Sequence, residues 1–225
     1  MTFSVTGRCE RTGMFGVAIT TSSICVASRC PWTRAGVGAV ATQNITDPSI
    51  GNNLLDRMAA GNSAQSALSG LLSSGADNLE YRQIALVDKQ GGVAHHCGTK
   101  TLGTFNVSPA ANCVAAGNIL STPQVTVAMQ TYFSANAELH LAERLLGALE
   151  AGLGAGGEKG PVKSSGLLVV DENPWPLVDL RCDWGDEPIT QLRTLWEAYQ
   201  PEMDAYVTRA LHPSRAPAYG VPGDL

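Results

Sequence analysis

The chain has no cluster of basic residues: Lys and Arg number 15 against 20 Asp and Glu, for a formal net charge of −5. A surface that tracks nucleic-acid phosphates needs such a cluster, so nucleic acid is not an expected partner. No stretch approaches the apolar length that spans a bilayer. The start, Met1-Thr2-Phe3-Ser4-Val5-Thr6-Gly7-Arg8, has neither the charged segment nor the apolar run of a secretion signal. The expectation is a cytoplasmic protein with no membrane partner. No Cys-x-x-Cys pair occurs; Cys9, Cys25, Cys30, Cys97, Cys113 and Cys182 are scattered and are expected as free, mostly buried thiols. A Gly-x-Ser-x-Gly elbow and a phosphate loop ending in Gly-Lys-Ser/Thr are also missing.

Two apparent cofactor motifs lose their meaning in context. His95-His96-Cys97 resembles a metal cluster, but adjacent residues of a strand point to opposite faces, so both imidazoles do not reach one ion. Gly152-Leu153-Gly154-Ala155-Gly156-Gly157 has dinucleotide-fingerprint spacing, yet it follows a helical pattern where that motif must follow a strand. Neither a metal nor a cofactor is expected. Trp175, Trp184 and Trp196 read as packing or interface groups.

What is there is an apolar content of 44% in 225 residues, enough for one well-buried domain. Alternation predicts a hairpin, Phe3–Cys9 and Met14–Ser22, about a turn at residues 10–13, then a strand over Val37–Gln43. Asp47-Pro48 opens a helix that buries Ile50, Leu54, Leu55 and Met58 and stops at Gly61. A second helix carries Ala64, Ala67, Leu68, Leu71 and Leu72. Strands return at Gln83–Val87, Val93–Cys97 and Cys113–Ala116. A third helix starts near Ser121, which has capping-box spacing to Gln124, and a fourth covers Leu139–Leu149. Gly152 to Gly160 reads as a loop, followed by strands at Leu167–Val170 and Leu177–Cys182. A last helix from about Asp186 buries Ile189, Leu192, Leu195, Trp196 and Tyr199. Strands and helices in alternating clusters favour antiparallel sheets with helices on their outer faces. The domain is expected to span residues 1–204. A proline-rich tail, 205–225, would pack on the domain or on a neighbouring subunit, and with the tryptophans it suggests a homodimer.

The chemistry is expected at Thr2. Initiator methionine is normally removed before a small side chain, and loss of Met1 would give Thr2 both a hydroxyl and a free α-amine. A threonine hydroxyl needs a base, and a terminal amine titrating near ~8 suits that work. The hairpin brings Thr20-Thr21-Ser22-Ser23 to the chain start, so that Thr21 and Ser22 become candidate neighbours of Thr2 and of a bound substrate.

Several blocks carry a resemblance: Thr2-Phe3-Ser4-Val5, Gly16-Val17-Ala18, the long run Pro31-Trp32-Thr33-Arg34-Ala35-Gly36-Val37-Gly38-Ala39-Val40-Ala41-Thr42-Gln43, Gly117-Asn118-Ile119-Leu120, Leu167–Val170 and Tyr219-Gly220-Val221-Pro222-Gly223-Asp224. Together they resemble the DUF 1028 family, N-terminal-nucleophile (Ntn) hydrolase-like proteins. The resemblance implies an α+β fold, the four-layer αββα sandwich of two antiparallel sheets. Gly160-Pro161-Val162-Lys163-Ser164-Ser165-Gly166 departs from the family pattern.

The function expected from these residues is hydrolysis of an amide in a small, carboxylate-bearing substrate, an amino-acid derivative or short peptide, with Thr2 as nucleophile. The oxyanion would fall to Asn118 or Gln43, with Asn44 behind them. The first lysine is Lys89, so Arg34 is the early cation. It would clamp a substrate carboxylate or favour the unprotonated amine, or else serve as a structural arginine in a turn. The alternatives are an inactive binding or scaffold protein of the same fold, and an enzyme acting on an imine or another small electrophile.

Overall fold

The computed structural model describes residues 2–221. The processing of Met1, the last three residues of the Tyr219–Asp224 block and the end of the 205–225 tail lie outside them. The chain begins with β1 (Thr2–Arg8) and β2 (Phe15–Thr21), followed by β3 (Pro31–Arg34) and β4 (Gly38–Asn44). Helices α1 (Ser49–Ala59) and α2 (Ala64–Leu72) come next. Four strands follow, β5 (Arg82–Asp88), β6 (Val93–Cys97), β7 (Asn106–Ala110) and β8 (Cys113–Asn118). Then come α3 (Gln124–Ala135), α4 (Leu141–Gly154), β9 (Ser164–Val170), β10 (Val178–Cys182), α5 (Pro188–Tyr199) and α6 (Met203–Leu211).

The strands form two antiparallel sheets, a six-stranded one ordered β10-β9-β2-β1-β8-β7 and a four-stranded one ordered β3-β4-β5-β6. Period-two alternation sorts each strand between two environments. On β1, Phe3 and Val5 join a core with Met129, Phe133, Leu145 and Leu149 of α3 and α4 and with Trp196 of α5. The alternate residues Thr2, Ser4 and Thr6 point the other way, and Ser4 reaches Gln43 of the second sheet. Val17, Ile19, Ala39, Ala41 and Val87 pack between the sheets. Val40, Ile84 and Leu86 turn to the opposite side and bury Leu54, Leu55 and Met58 of α1 with Leu68 of α2. Each such side chain contributes about 1.5–3 kcal/mol through removal from water. The described residues thus form two antiparallel sheets accompanied by helices, as the pattern of elements predicts.

The departures have local causes. β3 and β7 are short and were not separable from turns by alternation; Pro31 begins one and Pro109 lies in the other, and both strands sit at sheet edges, where a missing N–H is tolerated. Helix α4 runs on to Gly154, into the segment expected as a loop, because Gly152 packs against Met129 and Phe3 in a space too tight for a side chain. Ser121 makes no capping box: its hydroxyl is buried without a hydrogen-bond partner among the described residues, and Pro123 precedes α3 with no side-chain cap. Asp47 does accept the Ser49 amide at 2.9 Å, and Ser63 accepts that of Ser66 at 3.2 Å. Leu72 and Leu195, expected inside, lie half outside. Helix α6 occupies the first part of the expected tail. The tail folds back on it, with the Arg209 guanidinium 3.8 Å from the Tyr219 ring centre.

Candidate functional site

β1 is a central strand, and its first residue pairs on both sides: Thr2 lies opposite Thr21 of β2 and opposite Asn118 of β8. The Thr2 and Thr21 hydroxyl oxygens are 3.1 Å apart, and Thr21 is 3.3 Å from the Ser23 hydroxyl. The hairpin that the sequence predicts produces this row, since seven residues on each strand pair in strict register. Ser22 follows at the end of β2, beyond the ladder. All of this lies on the face of the six-stranded sheet that meets the second sheet.

Beneath the pair runs a buried chain of amides. Ser4 donates to Gln43 Oε1 at 2.7 Å, Gln43 Nε2 donates to Gln83 Oε1 at 2.8 Å, and Asn118 Nδ2 donates to the same oxygen at 3.0 Å. Gln83 Nε2 in turn donates to the Gly117 carbonyl at 3.0 Å. Gln83 therefore joins the two sheets directly behind the chain start. Nothing in the sequence marked it, because a single glutamine on an apolar strand carries no motif; its position opposite Gln43, two polar residues facing inward on paired strands, is the only signal. Asn118 Oδ1 is buried with no hydrogen-bond partner among the described residues. The next residue, Ile119, has φ 49°, a left-handed conformation that costs a β-branched residue about 1–3 kcal/mol.

Of the expected site residues, Thr2, Thr21 and Asn118 come together, with Ser22 adjoining. Gln43 sits deeper, beside Ser4, tied to Gln83. Asn44 ends β4 with φ 73°, giving its amide to the Tyr81 carbonyl at 2.6 Å and accepting the Leu102 N–H at 3.2 Å, so it shapes a turn. Arg34 is not brought to the chain start. It pairs with Gly38 at the opposite end of the β4 ladder from Gln43, five residues or roughly 17 Å away along the strand, and binds Asp56 at 2.8 Å. The physical reason is the hairpin of β3 and β4, which turns at residues 35–37 and carries Arg34 away from the polar end of the sheets.

A residue that the sequence did not single out closes the other side. Glu158 forms a β-bridge with Leu120, just past Asn118, and its side chain is only 7% exposed. The bridge is framed by Lys159 donating to the Ile119 carbonyl at 3.1 Å and Ser121 donating to that of Gly157 at 2.9 Å. Burial pushes the Glu158 carboxyl up to about 8. The positive charge of the chain's amino terminus and, more weakly, the Ser22 backbone amide hold that rise back, and neither carboxylate oxygen reaches a hydrogen-bond partner among the described residues. It lay hidden because a glycine-rich segment of unfixed shape gives no pattern that orients a single carboxylate.

No helix among the described residues is long and apolar enough to cross a membrane. The profile described as a family of unknown function, DUF1028, matches residues 2–192. A DUF1028 protein of Silicibacter pomeroyi has a similar crystal structure, with a TM-score of 0.81 and 29% identity over 88% of this chain and 89% of that one. Anbu, an ancestral β-subunit, from Yersinia bercovieri overlaps with a TM-score of 0.40 and 10% identity over 90% of this chain and 96% of that one. Comparison with curated proteins finds no match. The long match that starts at Thr2 and takes in Asn118 and Glu158 places this chain in the DUF1028 family.

Proposed function

We propose that the protein is an Ntn-type amidohydrolase with Thr2 as its nucleophile, built on the αββα sandwich of that class. The observation that carries the reading is the position of Thr2: first residue of a central strand, hydroxyl 3.1 Å from Thr21, opposite Asn118. With Met1 removed, the α-amine takes the proton of the Thr2 hydroxyl as its oxygen bonds to the substrate's carbonyl carbon. The C–N bond then breaks, the departing amine carries off a proton, and the acyl group stays on Thr2 as an ester. Water hydrolyses that ester to the free acid and restores the hydroxyl. Asn118, opposite the nucleophile, is the better placed of the two amides to donate to the oxyanion, while Gln43 holds Ser4 and Gln83 in place. Arg34 has no part in this arrangement, and the case for a substrate carboxylate goes with it. A small-molecule substrate, a cytoplasmic setting and a dimer belong to the same proposal.

The test is the intact mass of the protein before and after an electrophile selective for N-terminal threonine. Loss of methionine and one adduct on Thr2 are expected; retained methionine would sink the mechanism. A second reading, a binding protein that kept the fold, draws on the engagement of Asn118 and Gln43 with Gln83. Biological activity that survives Thr2→Ala would favour it.

A further inference from the structure

Residues 157–163 cross the start of β1. At one end of this segment, beyond the end of β8, Glu158 bridges Leu120, with the Lys159 N–H on the Ile119 carbonyl and the Ser121 N–H on that of Gly157. At the other end the Lys163 N–H donates to the Thr21 carbonyl at 2.7 Å, at the end of β2. β8 and β2 are the two neighbours of β1, so a segment tied to both passes across the first residue of the strand between them. Glu158 is the acid of that crossing. It is 7% exposed, and both its oxygens are closed off from the cavity of about 270 Å³ that Gly160, Pro161 and Val162 help to line.

We propose that Glu158 is the positioning residue of the catalytic amine: once Met1 is removed, its carboxyl accepts a hydrogen bond from the Thr2 α-amine and holds that amine beside the Thr2 hydroxyl. This role rests on the reading of Thr2 as a nucleophile. The Glu158 carboxyl responds to the positive charge of the chain's amino terminus and to the Ser22 backbone amide, and Ser22 directly follows Thr21, the partner of Thr2 on β2. On the other flank Leu120 stands two residues past Asn118, the partner of Thr2 on β8. Two strand steps span at most roughly 7 Å, within reach of a glutamate side chain and one hydrogen bond. A buried acid requires donors, and an α-amine supplies them together with the matching charge.

An amine that acts as a base has to be both placed and unprotonated. Glu158 places it through the hydrogen bond. It governs the proton as well, because the two groups titrate as a pair: each charge favours the other, so the amine gives up its proton at a higher pH with the carboxylate present than without it. The other charged groups near the crossing are Lys159, which is exposed, Lys163, which is paired with Asp186, and Glu187 just before α5. The Cys30 thiol feels the same amino terminus, but burial pushes it up to about 11, so it stays neutral.

The test is the pH dependence of Thr2 labelling by the threonine-selective electrophile, in whole protein whose intact mass shows whether Met1 is gone. In Glu158→Gln the pH of half-maximal labelling is expected to fall by about one unit, the effect of a lost opposite charge. A purely structural role would change the rate at every pH and leave the half-maximal pH in place, and that result overturns the proposal. If Glu158→Gln does not fold, the wild type decides the matter: ¹³C NMR of its glutamate carboxyls follows the group that titrates at about 8, before and after the α-amine is carbamylated with cyanate. With the amine neutral, that titration is expected to move up by about one unit; no movement overturns the proposal. Retained methionine strikes the hydrolase reading and this role together, whereas a processed chain that labels at Thr2 with an unmoved half-maximal pH strikes this role alone.

Discussion

Thr2 and Thr21 face each other across the β1–β2 ladder with their hydroxyl oxygens 3.1 Å apart. If Thr2 is the nucleophile, that contact orients its hydroxyl. Thr21→Val keeps the shape and removes the oxygen, and the rate of Thr2 labelling by the electrophile is expected to fall about tenfold, the worth of one hydrogen bond of ~1.4 kcal/mol. Thr2→Ala abolishes labelling altogether. A Thr21→Val rate equal to that of the wild type would remove Thr21 from the site.

Gln83 is the acceptor for both Gln43 and Asn118 and the donor to Gly117. Gln83→Leu leaves two buried N–H donors and one carbonyl unpaired, and a cost of about 2–4 kcal/mol is expected, given ~1–3 kcal/mol for each unsatisfied group and partial relaxation around it. Urea unfolding followed by circular dichroism measures it. Because Asn118 loses its anchor opposite Thr2, labelling should slow as well, even in the fraction that remains folded.

The Glu158 carboxyl makes stability fall with rising pH. Its folded value, about 8, lies above the ordinary value of 4.5, so between those limits the unfolded chain gives up a proton that the folded chain keeps. Stability from this group is complete below about pH 4.5 and is lost as pH rises toward 8. Glu158→Gln, with nothing to ionise, is expected to flatten the dependence of the urea midpoint on pH over that window. A slope unchanged by the substitution would contradict the assignment.

At Gly152 two effects oppose each other. Alanine improves an α-helix by about 0.8–1.0 kcal/mol over glycine, but an added Cβ would lie 2.7 Å from Met129 Cγ and 3.3 Å from Phe3 Cε2, both side chains fully buried. Overpacking of this kind costs about 1–3 kcal/mol, so Gly152→Ala is expected to lower the melting temperature despite the better helix former. A higher melting temperature would show that Met129 gives way freely.

Arg193 clamps α5 to α4, donating to Glu143 at 2.6 Å and to both oxygens of Glu150 at 2.9 Å, while Trp196 donates to Glu143 at 2.7 Å. These two helices supply Leu153 and Ile189 to the wall of a cavity of about 270 Å³. The groups are partly exposed, so Arg193→Gln is expected to cost only about 1 kcal/mol, with the difference shrinking in high salt.

Much of the fold was legible because periodicity reports burial. The face Ile50, Leu54, Leu55 and Met58 is buried as the 3.6-residue spacing requires, and the β1–β2 hairpin follows from alternation about a polar turn. That hairpin alone brings Thr21 to Thr2. Asn118 was legible as a strand end but not as the partner of Thr2, since which distant strands pair is fixed by packing of whole surfaces rather than by any local signal. The same holds for Gln83 and Glu158, whose surroundings come from segments far apart in the chain. Arg34 misled because it is early in sequence and cationic, two properties that say nothing about which end of a hairpin it occupies. Gly152 misled because a glycine demanded by close packing looks the same on paper as one demanded by a turn.

The strand order β10-β9-β2-β1-β8-β7 sets a timetable for synthesis. β1 is made before both of its neighbours, and its second neighbour, β8, comes only at residues 113–118, while β9, on the far side of β2, comes at residues 164–170. Closing such long loops delays the central strand until most of the chain exists. The first residues therefore pass through an open interval of translation before the lane around Thr2 shuts. If Met1 is removed as the proposed mechanism requires, that interval is when an aminopeptidase reaches residue 1, and the speed of elongation and the fraction of molecules carrying a free Thr2 amine become linked quantities.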